Sequence, residues 1–397
     1  MEPSPLDHLE VTTHGMANGG EAVARADDGR VVFIEGALPG ERVRVAVTAE
    51  KKRFLRGVAV EILDAASIRV EPPCPHGVDG CGGCALQYAT PGAQRELRLG
   101  MVGDALERLG RIQAPPVEPG PDLPTSGYRT AMRAAVEGGR AGFRAAHSHD
   151  VVVVGSCLVS HPLVEEILVD GRFDGAHEIT VRVGVNTGER MVIVRPNARE
   201  AIVPADVLVV GADELAERRA WIHEEVAGRR WRIGADSFFQ TRPDGAEVLV
   251  AEVRRAVGDP SGLRAIDAYG GVGLLSSALA GAERITLVER SASSVADARV
   301  NLADLPVKAI RVAVERWHPS KADIVVADPS RAGLGAKGVQ VLAATGASRL
   351  VLVSCDAGAL GRDAGLLVGA GYRLERSVVV DLFPHTPRVE VVSTFTR

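Results

Sequence analysis

The glycine loop Asp267-Ala-Tyr-Gly-Gly-Val-Gly273 decides the fold of the last third of the chain. It begins at the end of a strand-like run at Arg264–Ala268 and precedes a helical stretch. Glycines in such a loop let the backbone approach a ligand closely, and the helix N-terminus offers free N–H groups. Gly271-Val-Gly273 is followed by Leu, Leu and Ser276, so the third glycine of a dinucleotide fingerprint is absent, which disfavours a nicotinamide-dependent oxidoreductase. Taken alone, the loop fits either a ligand site or a tight strand–helix turn without a ligand.

Downstream of the loop, strand-like runs continue to alternate with helical stretches. The runs lie at residues 284–289, 322–327 and 350–354. Several are continuously apolar, which is typical of a parallel sheet covered by helices on both faces. In such a sheet, ligands bind beyond the carboxyl ends of the strands. We therefore predict a doubly wound α/β domain over residues 236–397, with its ligand cleft beside the side chains that end the runs, namely Asp267, Glu289, Asp328 and Cys355.

Three of these side chains have chemistry that suits a ligand cleft. Glu289 is placed to accept hydrogen bonds from ribose hydroxyls, which both NAD and S-adenosylmethionine (SAM) present. Asp328 could hold a cation or an amine, and the alternative is a turn or N-cap residue before a proline. Cys355 precedes a predicted helix, whose N-terminus favours the thiolate, and the alternative is an inert core cysteine. The shared strand-end position favours the functional interpretation of all three.

The first sixty residues predict a small β-barrel. Short β-rich runs alternate with turn signals, at residues 21–26, 31–34, 42–48 and 55–62. Between Arg42 and Arg56 there are six basic residues against one acid, Glu50, which gives a local charge balance of +5. Phe54 lies inside this run. A basic loop with an aromatic ring suits single-stranded nucleic acid, and a solvated hairpin tip is the alternative.

Four of the five cysteines predict a metal centre in the middle of the chain. They are Cys74, Cys81 and Cys84, followed after 72 residues by Cys157. Four thiolates can hold a tetrahedral zinc ion or a 4Fe-4S cluster. Structural zinc usually takes its ligands in two close pairs, so three near cysteines plus a distant one favour the iron–sulfur cluster over zinc.

The remaining segments complete a three-domain organisation. Apolar residues predict a helix over residues 93–109, a Pro-rich linker follows at 114–124, and a second, mainly β region spans 128–234. The predicted domains are 1–66, 67–235 and 236–397. No run of 18 uncharged apolar residues and no secretory signal occurs, so we expect a cytoplasmic protein without a membrane partner. The net charge of −5 by itself does not indicate a nucleic-acid partner.

Together these motifs resemble the SAM-dependent RNA 5-methyluridine methyltransferases. The similarity is to the RumA/TrmA-like class I enzymes, in the branch that carries an N-terminal OB-like TRAM barrel and a 4Fe-4S cluster. It extends over nearly the whole chain, through Ala37-Leu-Pro-Gly-Glu41, the Cys81–Gln87 segment, Gly142-Phe-Arg144, Phe238-Phe-Gln240, the glycine loop, Asp328–Gly333, Ser354-Cys355 and Phe383-Pro-His-Thr-Pro-Arg-Val-Glu390.

The resemblance implies a role for each candidate site residue. Cys355 matches the nucleophile of the family and Glu390 its general base. The positions that contact SAM in the family are matched by Gln240, Tyr269, Glu289 and Asp328. The cluster ligands are matched by Cys74, Cys81, Cys84 and Cys157. The chain departs from the family pattern in having six residues between Cys74 and Cys81, where five are usual, and in having Leu274 and Ala313 at positions where polar contacts to SAM are common.

The activity implied by the resemblance is methylation of carbon 5 of a uridine in RNA. The TRAM-plus-cluster architecture favours 23S ribosomal RNA as the substrate, with transfer RNA as the first alternative. The alternative function is that of a non-catalytic RNA-binding iron–sulfur protein with the same fold. The presence of both Cys355 and Glu390 argues against this alternative. We expect a monomer.

Overall fold

The N-terminal module is a closed five-stranded barrel. The structure, a computed structural model, describes residues 8–77 and 79–397, so the first seven residues of the predicted 1–66 module lie outside the described residues. The strands are β1 (His8–Met16), β2 (Ala22–Arg25), β3 (Val31–Glu35), β4 (Arg42–Glu50) and β5 (Phe54–Asp64), in the order β1-β2-β3-β5-β4. Alternate residues fill the interior, among them Val32, Ile34 and Val43, which are fully buried. The sequence analysis predicted the last four strands and missed β1.

A helix and a short strand follow the barrel. Helix α1 (Pro91–Arg108) starts two residues before its predicted boundary. Thr90 caps it by accepting a hydrogen bond from the Ala93 amide, and Pro91 occupies the first helical position, where no amide donor is needed. Strand β6 (Val117–Pro119) lies within the Pro-rich linker.

The central region is mainly β, as predicted. Its elements are β7 (Ala131–Glu137), β8 (Arg140–Arg144), β9 (Val151–Val153), α2 (Pro162–Asp170), β10 (Arg172–Phe173), β11 (Glu178–Val183), β12 (Arg190–Arg195), β13 (Ala201–Ile202), β14 (Val207–Gly211), β15 (Trp221–Val226) and β16 (Arg229–Gly234). Six strands form one sheet in the order β14-β12-β11-β7-β8-β9, and α2 packs against it. The pairs β10–β13 and β15–β16 form separate two-stranded sheets.

The C-terminal region has the predicted doubly wound α/β architecture. It consists of α3 (Pro243–Val257), β17 (Arg264–Ala268), β18 (Arg284–Glu289), α4 (Ala292–Asn301), β19 (Val307–Arg311), β20 (Ile324–Ala327), α5 (Gly335–Ala344), β21 (Arg349–Ser354), α6 (Ala357–Gly369), β22 (Arg373–Val379) and β23 (Val391–Thr396). Strands β17 to β21 are parallel, β23 is antiparallel to both of its neighbours, and the sheet order is β19-β18-β17-β20-β21-β23-β22-β6. Strand β6 therefore extends this sheet although it precedes the central region in the chain.

Helices cover both faces of this sheet, which explains its continuously apolar strands. In β20, Val325 and Val326 are both fully buried but belong to two different hydrophobic cores, one on each face. Leu352 and Val353 of β21 divide in the same way. A strand buried on both faces needs apolar side chains at every position, because each face excludes water. In the described part of the chain, no helix is both long enough and apolar enough to cross a membrane.

Candidate active site

One cavity at the carboxyl ends of the parallel strands contains every predicted cofactor and catalytic position. Its volume is about 840 Å³. The six side chains singled out from the sequence all line it: Gln240, Tyr269, Glu289, Asp328, Cys355 and Glu390. Four of them, Tyr269, Glu289, Asp328 and Cys355, end or directly follow parallel strands, whose carboxyl ends share one edge of the sheet. Glu390 precedes the antiparallel β23 at the same edge, and Gln240 reaches the cavity from the segment before α3.

The glycine loop forms one wall of the cavity through a sharply turned backbone. Tyr269 directly follows β17 with a φ of 60°, a left-handed conformation that is rare for a residue with a side chain. Its hydroxyl donates a hydrogen bond to Glu315 Oε1 at 2.7 Å. Gly273 has a φ of 97°, and a Cβ there would lie 2.4 Å from Leu302 Cδ1. This position therefore requires glycine for close packing of the loop against the end of α4.

Glu289 is fixed at the end of β18 by the backbone of the same wall. Its Oε2 accepts a hydrogen bond from the Gly271 amide at 3.2 Å, and its Oε1 accepts one from the Ser291 amide at 2.6 Å. A carboxylate oxygen has more than one lone pair, so each oxygen keeps acceptor capacity for a ligand in the cavity. This geometry suits the predicted role of accepting hydrogen bonds from hydroxyl groups.

Two neighbouring buried carboxyl groups, Asp267 and Asp328, favour the binding of a positively charged ligand in the cavity. Burial raises the pKa of Asp267 to about 7, although Ser276 donates a hydrogen bond to its Oδ2 at 2.5 Å. Asp267 Oδ1 has no hydrogen-bond partner among the described residues. Burial and the charge of Asp267 also raise the pKa of Asp328. A cationic ligand in this cavity would stabilise both groups in the ionised form.

Cys355 and Glu390 enter the same cavity from β21 and β23. Cys355 directly follows β21, and Asp356 caps helix α6 behind it by accepting a hydrogen bond from the Ala359 amide at 2.7 Å. Glu390 directly precedes β23 and is buried. Burial and the charge of Asp328 raise the pKa of Glu390 well above the usual range of a carboxyl group.

The Cys355 thiol is held protonated in the free protein. Burial, the largest cause, and the charges of Glu390 and Asp328 together raise its pKa to about 11, against the opposing charge of Arg331. These effects outweigh the helix N-terminus, which from the sequence alone should favour the thiolate. At neutral pH only a small fraction of the cysteine is therefore in the reactive thiolate form, unless a bound ligand or a proton acceptor changes this balance.

This protonation state predicts how Cys355 alkylation depends on pH. We expect the rate with iodoacetamide to rise about tenfold per pH unit between about pH 7 and 10, because the thiolate fraction grows tenfold per unit below the pKa. Mass spectrometry of the Cys355 peptide measures the rate. The urea-unfolded chain is the control, and its rate should level off near pH 9. A native rate that levels off as early as the unfolded one would contradict the raised pKa.

Sequence reasoning missed a group of arginines around the cavity. Arg129, Arg331 and Arg388 all line it, and the charges of Arg331 and Arg129 add to burial in lowering the pKa of Arg388. Two of them lie inside motifs that were quoted for other residues, but arginine is too common for its position alone to be a signal. Phe238, which is 64% exposed, lies at the same cavity.

The four clustered cysteines meet at a second cavity in the central region. Cys74, Cys81, Cys84 and Cys157 line a space of about 190 Å³ together with His76. Burial, the largest cause, and the nearby thiols together raise the pKa of Cys84 to about 11, although a hydrogen bond with the Gln87 side chain opposes them. Within residues 8–77 and 79–397, no three His, Cys, Asp or Glu side chains are grouped so that they could hold a metal ion.

The basic run on the barrel has fewer unpaired positive charges than the count of basic residues in the sequence suggests. Arg42, Arg44 and Arg56 form ion pairs with acidic residues outside the run, namely Asp64, Glu10, Glu61 and Glu21. Lys51, Lys52 and Arg53 are exposed at the β4–β5 turn and form no ion pair with the described residues. Beside them, Phe33 and Phe54 meet edge to face at 5.8 Å, with the Arg56 guanidinium 5.3 Å from the Phe33 ring.

Comparisons with known proteins agree with this architecture. The TRAM domain model matches residues 8–60, the region of the barrel. An uncharacterized RNA methyltransferase of Streptomyces avermitilis is 37% identical, over 98% of this chain and 98% of the relative. One of Streptomyces coelicolor is 37% identical, over 99% and 94%. The crystal structure of Pyrococcus abyssi tRNA (uracil-54, C5)-methyltransferase with S-adenosyl-L-homocysteine covers 98% of this chain and 99% of that one, at a TM-score of 0.73 and 23% identity. The overall fold is thus methyltransferase-like.

Proposed function

Because the chain belongs to the RNA 5-methyluridine methyltransferase family, and is therefore a SAM-dependent RNA methyltransferase, we propose that it methylates carbon 5 of a specific uridine in RNA. One observation carries this proposal. Cys355 and Glu390, the predicted nucleophile and base, line the same cavity as Glu289 and Asp328, the predicted cofactor positions. The thiol, the carboxyl group and the cofactor side chains therefore share one site.

The proposed reaction uses Cys355 to activate the uracil ring. Carbon 5 of uracil is too electron-poor to attack a methyl group unaided. The Cys355 thiol first loses its proton to solvent; the resulting thiolate adds to carbon 6, and the electron pair of the 5,6 double bond moves into the ring carbonyl to give an enolate, whose carbon 5 is nucleophilic. Once carbon 5 is methylated, Glu390 removes its proton, the double bond re-forms and the sulfur leaves carbon 6. Glu390 must be ionised to accept this proton. Because its pKa is raised, the ionised carboxylate is a stronger base than an ordinary glutamate.

The residues of the cavity fit SAM as the methyl donor. SAM supplies a methyl group on a positively charged sulfur and also carries an ammonium group. Glu289 has acceptor capacity for ribose hydroxyls, and the Asp267–Asp328 pair favours a cation. Leu274 and Ala313 line the same cavity and would provide apolar contacts. Gln240, which is 9% exposed, and Tyr269 complete the proposed binding set.

We propose 23S ribosomal RNA as the substrate, with transfer RNA as the alternative. The Pyrococcus relative acts on uracil 54 of a tRNA, which supports the alternative at the level of fold. Arg129, Arg331 and Arg388 supply positive charge beside the cavity, where a flipped-out nucleotide would bring its phosphates. The test is to map 5-methyluridine by mass spectrometry in both RNAs from cells with and without the gene. Loss of the mark from 23S RNA supports the first substrate, loss from tRNA the second, and loss from neither contradicts the proposed function.

We also propose that the four thiols of the central region hold a 4Fe-4S cluster. Cys74, Cys81, Cys84 and Cys157 line one space of about 190 Å³. Their spacing in the sequence, three near cysteines plus a distant one, suits a 4Fe-4S cluster better than structural zinc, which usually takes its ligands in two close pairs. Gln87, whose Oε1 accepts a hydrogen bond from the Cys74 amide, also lines this cavity.

Anaerobic purification is expected to give a brown protein that contains about four iron and four sulfide per chain. Metal analysis and the visible spectrum measure this. Cys157→Ser should lower the iron content, whereas Ser160→Ala, a nearby change that spares the thiols, should keep it. One equivalent of zinc without iron would contradict the cluster.

The exposed basic residues of the barrel predict the salt dependence of RNA binding. Replacing Lys51, Lys52 and Arg53 by glutamine should weaken RNA binding and reduce the slope of log K against log salt by about 2, because each phosphate contact contributes about 0.7 for a single strand. Filter binding over a salt series measures the slope. The matched control is a second triple variant, with Lys308→Gln, Lys321→Gln and Lys337→Gln, which also removes three positive charges but at positions outside the barrel. Equal slopes for the two triple variants would show that the barrel tip does not contact phosphate.

The domain boundaries 1–66, 67–235 and 236–397 remain a proposal, as do a cytoplasmic location and a monomeric state. Separate hydrophobic cores in the barrel, the central sheet and the large sheet support a division into three units. Helix α1 and the β15–β16 pair, which lie within 67–235, contribute residues to the cores of the large sheet, so these cores do not support the boundary at 235.

A further inference from the structure

The turn between β1 and β2 of the barrel contacts the two segments that carry the reactive residues. Asn18, at this turn, places its Nδ2 at 3.4 and 3.3 Å from the two carboxylate oxygens of Asp356. Gly20, two residues on, packs against Pro387. Asp356 is the residue after Cys355, and Pro387 lies three residues before Glu390. One barrel turn therefore contacts both sides of the proposed catalytic pair.

The contact at Gly20 leaves no room for a side chain. Gly20 has a φ of 85°, and a Cβ at this position would lie 2.6 Å from Pro387 Cβ and 2.8 Å from Pro387 Cγ. Pro387 is a rigid ring and cannot rotate away as a long side chain could. The turn thus packs directly against the Pro387 ring, in the segment that leads to Glu390.

The segment at residues 383–388 is otherwise held by groups from outside the barrel. Gln94 Oε1 accepts a hydrogen bond from the His385 amide at 2.6 Å, and Arg98 Nη1 donates to the Thr386 carbonyl at 3.0 Å. The Leu86 amide donates to the His385 carbonyl at 2.9 Å. None of these groups lies on the barrel. The turn therefore adds a link from the barrel to a segment already ordered by the rest of the protein.

We propose that the Asn18–Gly20 turn is a positioning element of the active site, which couples the RNA-binding barrel to the placement of Cys355 and Glu390. This inference rests on the proposed function, because it assigns the turn a role in that reaction. Asn18 acts through Asp356, the N-cap of α6, and Gly20 acts through Pro387. Neither residue lines the cavity, so both are positioning residues and not catalytic ones.

The barrel offers a matched pair of glycines for the test. Gly29, in the β2–β3 turn, has a φ of 84°, and a Cβ there would meet nothing within 4 Å. Gly20→Ala and Gly29→Ala therefore impose the same backbone strain, and only Gly20→Ala forces the turn away from Pro387. Comparison of the two isolates the contact from the general cost of an alanine at positive φ.

In single-turnover assays with SAM and RNA, Gly20→Ala is expected to lower the rate about tenfold or more relative to Gly29→Ala, because small displacements of reacting groups have large effects on rate. Affinity for S-adenosyl-L-homocysteine should be equal in the two variants, since the contact does not reach the cofactor wall. Asn18→Asp, which places a carboxylate against Asp356, should slow the reaction more than Asn18→Ala. Pro387→Gly combined with Gly20→Ala should recover part of the lost rate, because the clash is removed.

A second measurement does not depend on turnover. The alkylation rate of Cys355 in the protein without RNA should differ between Gly20→Ala and Gly29→Ala. If wild type forms no 5-methyluridine but these alkylation rates differ, the proposed function fails and the positional link stands. If wild type is active and the two alanine variants match in both rate and alkylation, the positional link is wrong. A difference confined to thermal unfolding temperature would also overturn it, because the turn would then be structural only.

Discussion

Replacement of Cys355 by alanine is expected to abolish formation of 5-methyluridine, with a fall in the methylation rate of at least about 10⁴-fold. Without the sulfur, the described residues that line the cavity include no other thiol to add to carbon 6 of the ring, and carbon 5 then stays too electron-poor to attack a methyl group. The loss should affect chemistry and spare binding. S-adenosyl-L-homocysteine should bind as in wild type, because Glu289 and Asp328 are untouched.

The measurement is tritium transfer from labelled SAM to RNA, together with isothermal titration of S-adenosyl-L-homocysteine. Ser354→Ala is the matched control. This residue is the last of β21, is buried, and has a hydroxyl without a hydrogen-bond partner among the described residues, and it does not line the cavity. Its loss should leave the rate near that of wild type. A Cys355→Ala protein that still made 5-methyluridine would remove the covalent mechanism.

Much of the large sheet could be predicted because its strands are buried on both faces. The boundaries predicted from the glycine loop and the strand-like runs agree with the observed ones for β17 and β18, and differ by at most two residues for β20 and β21. Strand β1 gave no such signal. Its inward-facing positions alternate with exposed ones, but only Leu9 and Val11 among them are apolar, so the alternation in the sequence is too short to distinguish from a loop. Strand β6 is three residues long and contains a proline, and its place at the sheet edge depends on pairing with β22, which lies far along the chain.

The residues of the candidate site that follow buried parallel strands could be predicted from the sequence. The contacts between segments far apart in the chain could not. Asp328 and Cys355 could be placed at one edge because each directly follows a buried parallel strand. The link between Asn18 and Asp356 joins residues 338 positions apart, and no local pattern records it. The raised pKa of Cys355 also required the fold, since its cause is burial beside Glu390 and Asp328. The sequence showed only the helix N-terminus, which acts in the opposite direction.

Glu390→Gln is expected to trap the reaction after methyl transfer, so that a covalent complex between protein and RNA accumulates. The amide keeps the size of the carboxyl group but cannot accept the proton from carbon 5, and the sulfur cannot leave carbon 6 while that proton remains. Methylated RNA should therefore form once per enzyme molecule and stay attached. Steady-state turnover should fall by about 100-fold or more, within the range for loss of a general base.

A denaturing gel with labelled RNA detects the complex as a slow-moving band, and one methyl group per band shows that transfer came before the block. The band should disappear in the double variant with Cys355→Ala, because the sulfur is the point of attachment. Glu283→Gln, which changes the same charge at an exposed site away from the cavity, should give wild-type turnover and no added band. A slow variant with no retarded band would place Glu390 before methyl transfer. Its raised pKa would then serve to hold a proton near the ring, and a different group would have to take the proton from carbon 5.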